Sequence, residues 1–357
     1  MKRLLLIFFN MVFLLLLAGC SSEQKIIDDI DLVTAVGYDY VDDNDVRGTV
    51  SIPVFKPDKS ISTQTFSDVS RLLRENRAKL DSEADKPLFS GKLEVAFYGE
   101  ELAKQGIYNF IDYLNREPSI GSRVLLAVVE GNAKDYITKK FQGTDTGLYY
   151  SSLLEKHIKK GTIPKTNLHQ MMYMYFSKRG DPFLPLLKMK NGKVKINGIA
   201  LFKGDKYVGK IPFKQTFAFK TLVENFDSGI FPIHNGQNSA IVENVRIKRH
   251  YKVDTSRSVP KISIDISIDG VVREHKGTIN NQKVVQGLEK EMEKQITKDF
   301  KKIIATTQEL NVDPIGLGEI IKIHDRSFNV NKYKAYYRDL PIKTNVKVKI
   351  TEYGVTK

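Results

Sequence analysis

The sequence predicts an α+β fold: a mixed strand and helix N-terminal domain, then β-rich C-terminal units with a long amphipathic helix packed on an antiparallel sheet. Three observations lead there. Residues 123–130 form an apolar, β-branched run that suits a central strand. Ile262, Ile264, Ile266 and Ile268 alternate with polar residues, so that strand has one buried face and one wet face. Val284, Val285, Leu288, Met292, Ile296, Phe300, Ile303 and Ile304 advance mostly in fours, a spacing that drifts off a heptad and suits a helix laid on a sheet.

The remaining elements follow in order. Residues 31–40, rich in Val, Ala and Tyr, read as a strand closed by the acidic turn Asp42-Asp43-Asn44-Asp45, and 49–55 as a second strand ended by Pro57. Residues 67–81 read as a helix with Val69, Leu72, Leu73 and Leu80 roughly on one face. A buried strand is expected at 93–98. One amphipathic helix is expected over 100–116, with Ile107, Phe110, Ile111 and Leu114 at i, i+3, i+4 and i+7. Helices are expected near 132–139, 148–160 and 166–176. After the Pro/Gly-rich loop 178–185 the texture turns β-rich near 188–195, which suggests a boundary there. Residues 196–202 and 206–211 read as a hairpin turned at Gly204-Asp205, and Asp269-Gly270 as a second hairpin turn. Val346, Val348 and Ile350 give a last alternating strand. The expected division is therefore 28–190 and 196–357, the latter as one unit or as a small β subdomain (196–240) and an α+β subdomain (241–357).

The first residues have a different character. Met1-Lys2-Arg3 is basic, and residues 4–17 are apolar apart from Asn10, the layout of an export signal too short to span a bilayer. Leu17-Ala18-Gly19-Cys20 is similar to the bacterial lipobox. Cleavage is expected at Gly19-Cys20, with Cys20 carrying S-diacylglycerol and an N-acyl chain, and residues 20–27 as a lipidated tether.

Composition narrows the chemistry. At 41% hydrophobic and 27% charged, the chain of 357 residues is an ordinary globular protein. Cys20 is its only cysteine, so the mature chain has no internal disulfide, thiol nucleophile or Cys-based metal site. The net charge is +14, or +12 once Lys2 and Arg3 leave with the signal, which favours a membrane surface. Nucleic acid is not an expected partner, because the positive residues are scattered and group into no binding motif. There is no Gly-x-Ser-x-Gly elbow, His-Glu-x-x-His helix or P-loop. Gly316-Leu317-Gly318 lacks a third glycine. His157, His169, His234, His250, His275 and His324 are dispersed and read as surface or packing residues. Glu100-Glu101 reads as first-turn acids that complement a helix dipole. No catalytic residue, metal site or cofactor is expected, and the chain is expected not to be an enzyme.

Several segments carry a resemblance. Residues 89–107, Arg116-Glu117-Pro118-Ser119-Ile120 with the strand after it, Gly180-Asp181-Pro182-Phe183-Leu184-Pro185, residues 196–209, and Asn311-Val312-Asp313-Pro314-Ile315-Gly316-Leu317-Gly318 resemble the Ger(x)C family in that order. These are lipoprotein C subunits of the nutrient germinant receptors of endospore formers. Two departures stand out: Ser21-Ser22 replaces the family's common Trp-Asp after the lipidated Cys, and the chain has no Trp. The resemblance implies a non-enzymatic subunit on the outer face of the spore inner membrane. Its implied partners are an A and a B subunit of one receptor, and membrane lipid through Cys20. The rival expectation is a lipid-anchored solute-binding protein of a transporter, which more usually shows two lobes of repeated strand-helix units around a cleft.

Overall fold

The computed structural model describes Arg3 and residues 26–234, 239–276 and 282–353. The signal segment (Arg3 aside), the Gly19-Cys20 site and the tether as far as residue 25 lie outside the described residues. In chain order the first half contains β1 (Asp31–Leu32), β2 (Ala35–Tyr40), β3 (Val46–Phe55), β4 (Ile61–Ser70), α1 (Leu73–Glu83), β5 (Leu88–Phe89), β6 (Val95–Gly99), α2 (Glu100–Gln105), α3 (Tyr108–Arg116), β7 (Leu125–Val129), α4 (Ala133–Ile137), α5 (Thr146–Lys159), α6 (Leu168–Ser177) and β8 (Phe183–Lys190). The second half contains β9 (Lys193–Lys203), β10 (Lys206–Pro212), α7 (Thr216–Val223), β11 (Gly229–Ile233), β12 (Ala240–Asp254), β13 (Lys261–His275), α8 (Gln282–Leu310), α9 (Leu317–His324), α10 (Val330–Tyr336) and β14 (Ile342–Tyr353). The class is α+β.

The large sheet has the order β10-β9-β8-β7-β6-β2-β3-β4. Its centre, β2-β6-β7-β8, is parallel, and antiparallel hairpins flank it on both sides. Val95–Gly99 and Leu125–Val129 are buried along their whole length, because helices cover both faces of a parallel centre. One apolar cluster joins Val36, Tyr38, Ala96, Leu126 and Phe202 to α1, α2, α3 and α6. The other starts from Val95, Phe97, Ala127 and Val129, takes in α4 and α5, and runs without a break through Phe219 into Ile262, Ile264, Ile266 and α8.

The expected boundary near 190 falls at a turn between two paired strands. β8 pairs antiparallel with β9 from Lys190↔Lys193 to Phe183↔Leu201, so the change of texture at 188–195 is a hairpin turn inside one sheet. The 196–212 hairpin completes the N-terminal sheet. The second, four-stranded sheet has the order β11-β12-β13-β14. It is antiparallel from β11 to β13, but β14 lies parallel to β13. The intervening α8, α9 and α10 make the crossover that a parallel neighbour requires. As expected, α8 covers one face with Val285, Leu288, Met292, Ile296, Phe300 and Ile303. Two outward amides of β14 are taken by that same helix: Val348 N–H donates to Glu293 Oε1 at 2.9 Å, and Ile350 N–H to Glu289 Oε1 at 2.8 Å.

Three local expectations are corrected. Residues 67–70 finish β4, where they pair with β3 as far as Val46↔Ser70, and the helix begins only at Leu73. The expected helix 100–116 breaks at Gly106, whose φ of 127° lies outside the helical range. Asp269-Gly270 is no turn; β13 runs straight through it, opposite a register shift between Asn244 and Arg246.

Candidate functional site

The two halves meet where two Asp-Pro turns face one another. Helix α6 is capped by Asn167, whose Oδ1 accepts from Gln170 N–H at 2.9 Å, and ends at Lys178 in the left-handed region. The chain then passes Arg179-Gly180-Asp181-Pro182 into β8. On the other side, α8 gives way to Asn311-Val312-Asp313-Pro314-Ile315-Gly316 before α9. Asp181 N–H donates to Asp313 O at 2.8 Å, and Asp313 N–H donates to Asp181 Oδ2 at 2.8 Å.

The Asp313 carboxylate is fully enclosed. It accepts from Gly316 N–H and Gly318 N–H, each at 2.9 Å, and from the Tyr333 hydroxyl at 2.5 Å. Burial pushes its pKa up to about 6, with the Tyr333 and Gly318 bonds pulling the other way. Burial also raises Asp181, and the Tyr333 hydroxyl stands well above its ordinary value. The glycines have separate reasons. Gly316 has φ of 78°, and a Cβ at Gly318 would stand 2.4 Å from Arg179 O. The Gly316-Leu317-Gly318 amides therefore serve the carboxylate of their own chain rather than a phosphate. Arg179 Nη1 spans the turn to Glu319 at 2.8 and 3.0 Å.

Beside this clasp lies a cleft of about 390 Å³. Tyr173 and Met174 of α6, Phe183, Val223, Ile315 and Ile320 give it largely apolar walls, with Arg249, Tyr251, Glu224 and Lys165 at polar positions. Arg249, Tyr251 and Glu224 have partners within the fold. Arg249 Nη1 donates to Leu222 O at 2.6 Å, and its Nε to Asn225 Oδ1 at 3.2 Å. Glu224 pairs at 2.9 Å with Lys220, which is only 2% exposed and also donates to Ile158 O at 2.7 Å and Ile163 O at 3.0 Å. Burial lowers the Lys220 pKa, and Glu224 counteracts this. Apolar walls with fixed polar groups can hold and orient a partner.

Among the described residues, no group of three or more His, Cys, Asp or Glu is placed to hold a metal ion. His157, His169, His250, His275 and His324 lie on α5, α6, β12, β13 and α9, and His234 follows β11. Glu100 and Glu101 open α2 and both pair with Lys104, at 3.6 and 2.7 Å. Cys20 and the Gly19-Cys20 bond, the residues expected to be modified and cleaved, lie outside the described residues. Asp181, Asp313, Tyr333 and Arg249 were not expected as site residues. The available signal was that both Asp-Pro turns fall in segments carrying the family resemblance.

Residues 23–189 match the model for the spore germination protein N-terminal domain, and residues 197–354 match the model described as spore germination B3/GerAC like, C-terminal. A two-part α+β chain with this pair of matches is of the spore germination class. The chain belongs to the GerAC family of spore germination proteins, and it is 32% identical to Spore germination protein GerQC of Bacillus cereus over 100% of both chains. It is 21% identical to Putative spore germination protein YfkR of Bacillus subtilis (strain 168), over 79% of this chain and 77% of that one. The fold is shared with the crystal structure of the GerBC protein, at a TM-score of 0.60 and 20% identity, covering 88% of this chain and 96% of that chain. The two family models meet at the β8–β9 turn, inside the large sheet.

Proposed function

We propose that this chain is the lipid-anchored, non-enzymatic subunit of a nutrient germinant receptor, required for nutrient-triggered germination. It sits on the outer face of the spore inner membrane, held by S-diacylglycerol and an N-acyl chain on Cys20 after cleavage at Gly19-Cys20, and it acts by contact with the A and B subunits of the same receptor. The observation that carries this reading is the match to a spore germination protein along the full length of both chains, together with the lipobox-like Leu17-Ala18-Gly19-Cys20. Among the described residues no helix is long and apolar enough to cross a membrane. A two-chain lipid anchor holds stably and raises the effective concentration of partners beside it.

The test is Cys20→Ala in spores, read as nutrient-triggered germination rate with protein level followed by immunoblot and the mature N-terminus by mass spectrometry. Loss of acylation with loss of nutrient germination is expected. An unmodified Cys20 in the wild type, or full germination by spores lacking the chain, would overturn the reading. The junction cleft favours a second reading, a solute-binding lipoprotein. Tight binding of a germinant by the isolated chain in a thermal-shift screen would support that reading instead.

A further inference from the structure

We propose that the β3–β4 hairpin tip and the segment leading into β1 form a membrane seat, with the side chain of Phe55 inserted at the interface of the lipid bilayer. The proposal rests on the lipid anchor at Cys20 and adds which face of the protein then meets the lipid.

Phe55 is 73% exposed at the end of β3. A single exposed apolar side chain needs no explanation, but several gathered on one groove mark a contact surface. Ile26 and Ile27, at the start of the described segment 26–234, are 63% and 70% exposed. These are not separate accidents of the surface. Ile27, Ile30 and Leu32 line one groove of about 330 Å³ together with Ile52, Val54 and Phe55. The hairpin tip is a defined structure: Lys56 N–H donates to Ser60 O at 3.0 Å, Lys59 N–H to Lys56 O at 2.9 Å, and Ser60 N–H to Asp58 Oδ1 at 2.9 Å. It presents Phe55 with Lys56 and Lys59, an apolar ring flanked by cations, a combination suited to the boundary between acyl chains and headgroups.

The chain between Cys20 and Ile26 selects the bilayer as occupant. Six residues reach about 20 Å when fully extended, so a lipid on Cys20 keeps this groove within that distance of the membrane whatever the tether's path. Charge specifies the kind of contact. Asp28, Asp31 and Asp85 line the groove or its edge beside Lys86, so the patch is not basic. The driving force is burial of apolar side chains, and neutral phosphatidylcholine is therefore sufficient.

The absence of tryptophan from the sequence allows a direct test. The full, lipidated chain carrying Phe55→Trp is reconstituted into phosphatidylcholine vesicles and compared with Ile323→Trp, a position 70% exposed on α9. The expected result is blue-shifted emission and several-fold stronger quenching by brominated lipid at position 55, with position 323 remaining open to acrylamide. Equal acrylamide access at the two positions overturns the seat. So does a strict need for anionic lipid, and so does protection of position 55 only in native membranes, which would assign this face to a protein. Flotation of Cys20→Ala separates the two readings. Flotation lost with Cys20 while position 55 stays wet leaves the anchor standing and removes the seat. Flotation retained without acylation, and retained again when Phe55→Asp is added, removes the anchor itself.

Discussion

Asp181 and Asp313, 132 positions apart, hold one another through two 2.8 Å hydrogen bonds, each from a backbone amide of one to an oxygen of the other. The clasp ties the loop before β8 to the turn after α8, and one wall of the junction cleft depends on it.

Asp313→Asn should destabilise the folded chain by about 2–3 kcal/mol. The amide group replaces one of two oxygens that accept three hydrogen bonds, which leaves a buried donor facing N–H or O–H groups. Denaturant unfolding monitored by circular dichroism measures the change. An effect within error of zero would show that the turn does not depend on the carboxylate.

The same residue gives a pH dependence. Its folded pKa of about 6 is raised above the ordinary 3.8, so burial favours the protonated form. Stability from this group is then fully present below about pH 4 and is lost as pH rises through about 6. Relative to Asp313→Asn, the wild type should lose up to about 3 kcal/mol across that window. A flat difference between the two proteins over the same range would contradict the assignment.

Lys220→Met should cost about 3 kcal/mol, since breaking a buried charged pair leaves its partners without compensation. Ile158 O near the end of α5 and Ile163 O in the loop after it would lose their donor, and Glu224 its cation. Because Glu224 and Lys165 line the cleft, thermal melting combined with hydrogen exchange at 158–165 would show whether the loss is local.

One apolar cluster runs from the large sheet into the small one, so the chain should unfold in one calorimetric transition. Residues 28–190 made alone should not fold cooperatively, because β8 would lose its partner β9 and the cluster would be open to water. Two resolved transitions, or a well-folded 28–190 fragment, would show that the halves are independent.

What was legible in the sequence was whatever a local pattern determines. The fours-spacing of α8, the apolar runs of β6 and β7, and the Gly204-Asp205 hairpin were each readable because neighbours in sequence settle them. The break at Gly106 was not. It is fixed by Asp205, whose backbone carbonyl accepts from Ile107 N–H at 3.1 Å and whose Oδ2 accepts from Tyr108 N–H at 3.2 Å. Asp39 likewise caps α4, 94 positions away, through Ala133 N–H at 2.5 Å. The junction cleft was hidden for the same reason: Arg249 and Tyr251, Asp181, and Asp313 come from three separate stretches, and each reads alone as a turn or strand residue. The texture change near 190 was visible, but texture does not say which sheet a hairpin will join.

The two bonds from β14 to Glu289 and Glu293 have a bearing on life in a crowd. Copies tethered by lipid would collide repeatedly in similar orientations, and an open strand edge under such conditions can seed unlimited chain-to-chain addition. Here helix α8 reaches over the rim of its own sheet and occupies donors that a neighbour's strand would need. At this edge, encounters between copies are thereby left more to side-chain surfaces, which can discriminate among partners, whereas an open backbone edge would accept almost any extended chain.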